Sequence, residues 1–229
     1  MSIPALVNGP TQAYSLTVTI PATTAGNCLV VVVSDNAPGT GGWVSMVTLG
    51  GMADNFGLLA ATSFVGSAPN VEIWADPFCA GGQTSVAVSG PAPASVGSGS
   101  GSVWVYEFSG VANNLAQLLD QFRRQRGSTT AWDSATTPGT SSPSEVWVGA
   151  VNTTSALTAV PGAPWVNDQP SGGFCATGYQ ITTSAGTADY AGTCASATNW
   201  AAGVVTLTSD PAGAQIYQRS GPVQARWPG

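Results

Sequence analysis

With no histidine anywhere in the chain, carboxylates are the residues best placed to do chemistry. Glu72, Asp76 and Glu107 fall in segments of strand character beside aromatic residues, as in Val71-Glu72-Ile73-Trp74 and Tyr106-Glu107-Phe108. Two carboxyl groups held about 5 to 10 Å apart in a cleft would suit glycoside hydrolysis, one as acid and the other as base or nucleophile. Linear spacing does not bring them together, and a glutamate beside Trp or Tyr on a strand is more often a sheet-face residue. No catalytic residue is therefore assigned, and the expectation is a protein that is not an enzyme.

Other routes to chemistry are narrower still. The absence of histidine removes Ser and Cys triads in their usual form, and most metal sites with them. Cys28, Cys79, Cys175 and Cys194 are widely spaced, with no Cys-x-x-Cys pair to hold zinc. Cys175 and Cys194 flank a hairpin-like stretch; reduced, buried thiols are the expectation, and a bridge between them is the alternative. Gly97 to Ser102 lacks the Lys and following helix of a phosphate-binding loop. Asp35-Asn36 and Asp54-Asn55 suit turns better than calcium loops. No cofactor or metal is expected.

Charge limits the partners. The formal net charge is −6, with five Arg and no Lys. The one cluster, Arg123, Arg124 and Arg126 in Gln121-Phe122-Arg123-Arg124-Gln125-Arg126, is too small for a phosphate backbone. It reads as a solvated connection or a contact for an acidic neighbour, with a polyanion contact as the alternative. Nucleic acid is not an expected partner. Exposed Trp and Tyr could stack on sugar rings, although most of the eight Trp should be core.

The elements that would position these residues are strands. Hydrophobic residues make up 43% of the 229 and charged residues only 7%, too few for solvated amphipathic helices. Ala13 to Ile20 alternates, Cys28 to Val33 is an apolar run short enough for a strand covered on both faces, and Trp43 to Leu49 resumes strand character. Leu58 to Phe64, Asn70 to Asp76, Thr84 to Ser89 and Ser102 to Phe108 follow. Asn113 to Phe122 is the one helical stretch, with Leu115, Leu118, Leu119 and Phe122 at helix spacing after an Asn cap.

A second half echoes the first. Ser134 to Thr140 leads into Glu145 to Val151 as Thr17 to Thr23 leads into Cys28 to Val33; Trp165-Val166 parallels Trp43-Val44, and Gly178 to Thr183 parallels Asn70 to Asp76. Asn199 to Thr208 supplies a final long strand. The expected architecture is all-β, a jelly-roll or concanavalin-like sandwich with one short helix near 113–122. A single domain over 1–209 with two similar halves in one sheet system is expected, with a loop near 91–101 and an extended arm over 210–229. Met1 to Pro10 lacks a basic n-region, so no Sec-type export is indicated. The longest apolar run, Cys28 to Val33, is far short of the ~18 residues that span a bilayer, so no membrane insertion is expected.

Four blocks carry a resemblance: Thr23-Thr24-Ala25-Gly26-Asn27-Cys28-Leu29-Val30-Val31; Val71-Glu72-Ile73-Trp74-Ala75; Val105-Tyr106-Glu107-Phe108-Ser109-Gly110-Val111 followed by Leu119-Asp120-Gln121; and Trp200-Ala201-Ala202-Gly203-Val204-Val205. In this order they resemble tailed-phage virion proteins, particularly minor tail proteins of phages of actinobacteria. The resemblance implies a jelly-roll or concanavalin-like sandwich and carries no catalytic residue. It implies a virion structural protein assembled in the host cytoplasm, a minor tail protein or tail-associated accessory, with other virion proteins and further copies of itself as partners. A capsid decoration protein is the alternative within that class. A carbohydrate-binding module contacting a host cell-wall glycan is the alternative outside it.

Overall fold

The computed structural model describes residues 2–35, 44–63, 69–90, 101–168 and 173–210. The first half contributes β1 (Ala5–Ala13), β2 (Thr17–Thr19), β3 (Cys28–Asp35), β4 (Met46–Leu49), β5 (Met52–Ala53), β6 (Gly57–Ser63), β7 (Asn70–Asp76), β8 (Ser85–Ser89) and β9 (Ser102–Ser109). They form a five-stranded sheet in the order β1-β9-β3-β7-β6 and a four-stranded sheet in the order β2-β8-β4-β5. The chain passes back and forth between the two sheets, which is the interleaving of a jelly roll.

The second half repeats the pattern. After α1 (Leu115–Leu118) come β10 (Leu119–Gly127), β11 (Ala131–Asp133), β12 (Glu145–Thr153), β13 (Leu157–Ala159), β14 (Val166–Asp168), β15 (Cys175–Thr182), β16 (Ala191–Cys194) and β17 (Trp200–Thr208). Their sheets run β10-β17-β12-β15-β14 and β11-β16-β13. Strand for strand this is the first half again, with the outer sheet one strand shorter among the described residues.

The all-β sandwich with one short helix matches the expectation from sequence; what differs is how the halves are joined. They do not share one pair of sheets. Each builds its own, and the two five-stranded sheets pack face to face, so that four layers stack around three cores. Strict alternation explains why: in β3, Leu29, Val31 and Val33 fill the core toward the first outer sheet, while Cys28, Val30 and Val32 fill the central core. A strand apolar on both faces needs a cover on both. The central core joins Val30, Val32, Trp104, Tyr106 and Phe108 to Val146, Val148, Val205 and Leu207. There β3 lies over β12 and β7 over β17, while Tyr106 and Phe108 of β9 meet Tyr179 of β15 edge-on. Since β7 and β15 hold the same place in their sheets, as do β9 and β17, the halves are related by an approximate internal two-fold axis near β3 and β12. Asn152 on β12 secures the junction by donating to the carbonyls of Asp35 and Asn70.

Several elements depart from the sequence reading. The segment Ala13 to Ile20 bends: Ala13 ends β1, Tyr14 is exposed, and strand resumes only at Thr17–Thr19. Upstream, β1 pairs with β9 despite register shifts around Asn8 and Thr11, and Gly9 lies so close to Val105 that a Cβ would sit 2.5 Å from its carbonyl oxygen. The helix is confined to Leu115–Leu118, capped by the Asn114 side chain on the Gln117 amide and anchored by buried Leu118. Leu119 to Gly127, including Phe122 and the arginines, is strand β10 and not the end of a helix or a connection. Val166, expected to parallel Val44, begins the edge strand β14, the counterpart of β6. Trp43, Phe64, the loop near 91–101 except Gly101, and the arm beyond Asp210 lie outside the described residues.

Candidate functional site

The three candidate carboxylates all face the core between the sheets of the first half, and none is exposed. Glu107 and Asp76 both pair in register with Leu29, one from each neighbouring strand. They therefore flank it at about two strand spacings, roughly 10 Å. Glu72 pairs with Val33, four residues further along. The structure thus brings Asp76 and Glu107 to one level and leaves Glu72 away from them. Their relative exposures are 0%, 2% and 2%, and the cavity beside Glu107 is about 10 Å³, room for a single water and not for a sugar.

Each carboxylate has a structural task instead. Glu107 accepts from Asn8 Nδ2 at 2.7 Å, the Thr24 amide at 2.9 Å and Asn27 Nδ2 at 2.6 Å, tying β1 and the β2–β3 connection to β9. Glu72 accepts from the Trp74 indole at 2.8 Å and the Val44 amide at 3.3 Å. Asp76 accepts from the Phe78 amide at 3.1 Å, while burial, with Asp54 adding to it against that bond, pushes its carboxyl up to about 6.

Similar carboxyl pairs occur in the second half, among residues that the sequence does not single out. Glu145 opens β12 and accepts from the Trp147 indole at 3.0 Å; burial and its neighbour Asp120 push it up to about 7. Asp120 is itself desolvated, yet hydrogen bonds from the Ser141 amide and hydroxyl hold it below the usual carboxylate range. Asp189 is pushed up to about 6 by burial and by Asp133. The signal for one of these was present: Glu72-Ile73-Trp74 and Glu145-Val146-Trp147 are the same Glu-x-Trp pattern, which puts an indole donor two residues from a carboxylate on one strand face. The cysteines offer no nucleophile. All four are free and buried; Cys175 lies in the central core and Cys194 in the outer second core, so no bridge joins them. Burial, then Glu107, Asp76 and Asp54, push the Cys79 thiol up to about 12.

The exposed charge lies elsewhere. All eleven carboxyl residues are buried or half-buried, whereas Arg123, Arg124 and Arg126 are exposed, and they are the one set of charged side chains that is so among the described residues. They stand on β10, the edge of the second inner sheet, beside β6, the edge of the first. Arg124 Nη1 donates to the Ala61 carbonyl of β6. Between the two edges runs an open groove of about 290 Å³ lined by Ala61, Thr62, Arg124, Gln125 and Arg126. Charged edge strands resist unwanted pairing, which is one reason for arginine here. Among the described residues there is no group of three or more Cys, Asp or Glu side chains that could hold a metal ion, and no helix long and apolar enough to cross a membrane. No family model, curated protein or solved structure matches this chain.

Proposed function

We propose that this chain is a non-enzymatic structural protein of a tailed-phage virion, a minor tail protein or tail-associated accessory that assembles with other virion proteins and with copies of itself through surface contacts. The observation that carries the reading is the division of charge: among the described residues the carboxyl groups and cysteines are buried or half-buried, and the exposed charge is gathered on one strand edge. Such a molecule offers a surface rather than a cleft. The ordered blocks that resemble minor tail proteins supply the virion context. Jelly rolls serve capsids and lectins alike, so the fold does not choose between them.

A glycan-binding module calls for a platform of exposed Trp or Tyr. Among the described residues no Trp is exposed, and the exposed rings Tyr14, Phe78 and Phe122 stand on three separate segments. That distribution favours the structural reading. Immunogold labelling of intact particles with antibody against this chain tests it. Gold on the tail is the expected result, gold over the capsid lattice would make the chain a decoration protein, and unlabelled particles would overturn the virion reading.

A further inference from the structure

We infer that β10 is a docking strand for an extended acidic segment of a partner protein, which adds to the sheet edge with its carboxylates against Arg124 and Arg126. This deepens the proposed function by naming a contact surface. It rests on the chain acting through contacts and not on where in a particle it sits.

The argument begins with period. Arg124 and Arg126 lie two residues apart on a strand, so their side chains leave the same face about 7 Å apart. Their register partners Gly203 and Ala201 share a face of β17 with Val205 and Leu207, so both arginines stand on the face toward β6, where the groove runs. Arg123 leaves the opposite face. An extended chain carrying carboxylates at alternate positions has the same spacing and meets both guanidinium groups at once. Each guanidinium has five N–H donors in a planar fork, and the one Arg124 bond to Ala61 leaves others for a carboxylate. Phe122, two residues before Arg124 on the same face, is 41% exposed and supplies an apolar contact for the next side chain on that face beyond the acids.

The backbone completes the site. Among the described residues β10 pairs on one side only, with β17, so half of its amides and carbonyls face outward as a template for another strand. Like charges oppose the pairing of one β10 with the β10 of a second copy, and the other exposed side chains of this protein carry no carboxylate to offer. Three guanidinium groups on a chain of net charge −6 are a poor match for a nucleic-acid backbone. A carboxylate-bearing strand fits both the charge and the open hydrogen bonds.

Fluorescence anisotropy with the purified full chain and a labelled short peptide of alternating aspartate and valine is the test. The wild type should bind, weakening as salt rises. The double variant R124A/R126A should bind about tenfold or more weakly, while R123A should change affinity less than about threefold. Amide exchange along β10 should slow when the peptide is added. Equal binding by the double variant, or no binding at millimolar peptide, would overturn the proposal. So would binding without protection of β10 amides, or tighter binding of heparin or duplex DNA at equal salt. These arginines are exposed, so circular dichroism should report unchanged folding. Failure here leaves the location of the chain in a particle untouched, and absence from the particle leaves the peptide result untouched.

Discussion

The two halves share a strand order and fill it in opposite ways. Across the middle of the first inner sheet, toward its outer partner, stand Val105, Val31 and Trp74 in register; across the second stand Val204, Gly149 and Gly178. The missing side chains are replaced by a ring from above. Tyr190 lies so close that a Cβ on Gly149 would be 2.3 Å from its Cγ, and Trp132 and Trp165 pack at 5.4 Å and 5.0 Å from the Tyr190 ring. The first outer core is largely aliphatic, built from Val18, Ile20, Leu29, Val47, Leu49 and Val86; the second holds Trp132, Trp147, Trp200 and Tyr190. Among the described residues the second outer sheet has three strands against four in the first and offers fewer side chains, and large rings seated on bare backbone restore the packing density that a core requires. Topology therefore constrains volume, not residue type.

Removing a ring should expose this difference most clearly. Trp132→Ala is expected to cost about 3–5 kcal/mol, against about 2 kcal/mol for Val31→Ala, measured by urea unfolding. Equal costs would mean that the second core is not organised around its rings.

The carboxylates give the next contrast. Glu107→Gln places an amide among three donors and should cost about 2–3 kcal/mol. Glu145→Gln at pH 8 should cost less than about 1 kcal/mol, because the neutral side chain resembles the protonated form that burial and Asp120 favour. If Glu145→Gln proves the more damaging, the assignment of roles is reversed. Gly149→Ala should cost about 1–3 kcal/mol through the clash with Tyr190, and truncating Tyr190 in the same chain should make that cost non-additive in a double-mutant cycle.

The smallest effect is shared by both halves. Asp76 and Asp189, pushed up to about 6, and Glu145, pushed up to about 7, hold protons that the unfolded chain releases near their ordinary values of 3.8, 3.8 and 4.5. Stability from these groups is complete below about pH 4 and is lost as pH rises to about 7. Thermal unfolding should shift down by about 2–4 °C between pH 5 and pH 8. Asp76→Asn combined with Glu145→Gln should flatten the slope. A midpoint that rises over this range would contradict the pairing.

Much of the fold was legible because its central strands are sequence-local objects. The valine run of β3 and the alternation of β7, β9 and β17 each announce burial on one or two faces, and β12 and β15 hold the places of β3 and β7 in their sheet, as the sequence parallels suggest. The misreadings have physical causes. Leu115, Leu118, Leu119 and Phe122 fit a helix, but from Leu119 onward eight register pairs with β17 outweigh that spacing. In β1, the bulges around Asn8 and Thr11 break the period that reveals a strand. The carboxyl pairs were largely hidden, because Asp120 with Glu145 and Asp133 with Asp189 meet only after distant segments fold together. The arginine run is plain in sequence, but its place on a sheet edge is not, since that depends on which strands pair, and among the described residues β10 pairs with β17 alone.

Cryo-electron microscopy of the intact particle, at a resolution that separates strands, tests most directly whether this chain works by presenting a surface. The expected map places it on the tail with β10 against a neighbouring protein and density for an added strand along Arg124 and Arg126. A map without this chain, or one in which β10 faces open solvent while the molecule is held by other surfaces, would contradict it.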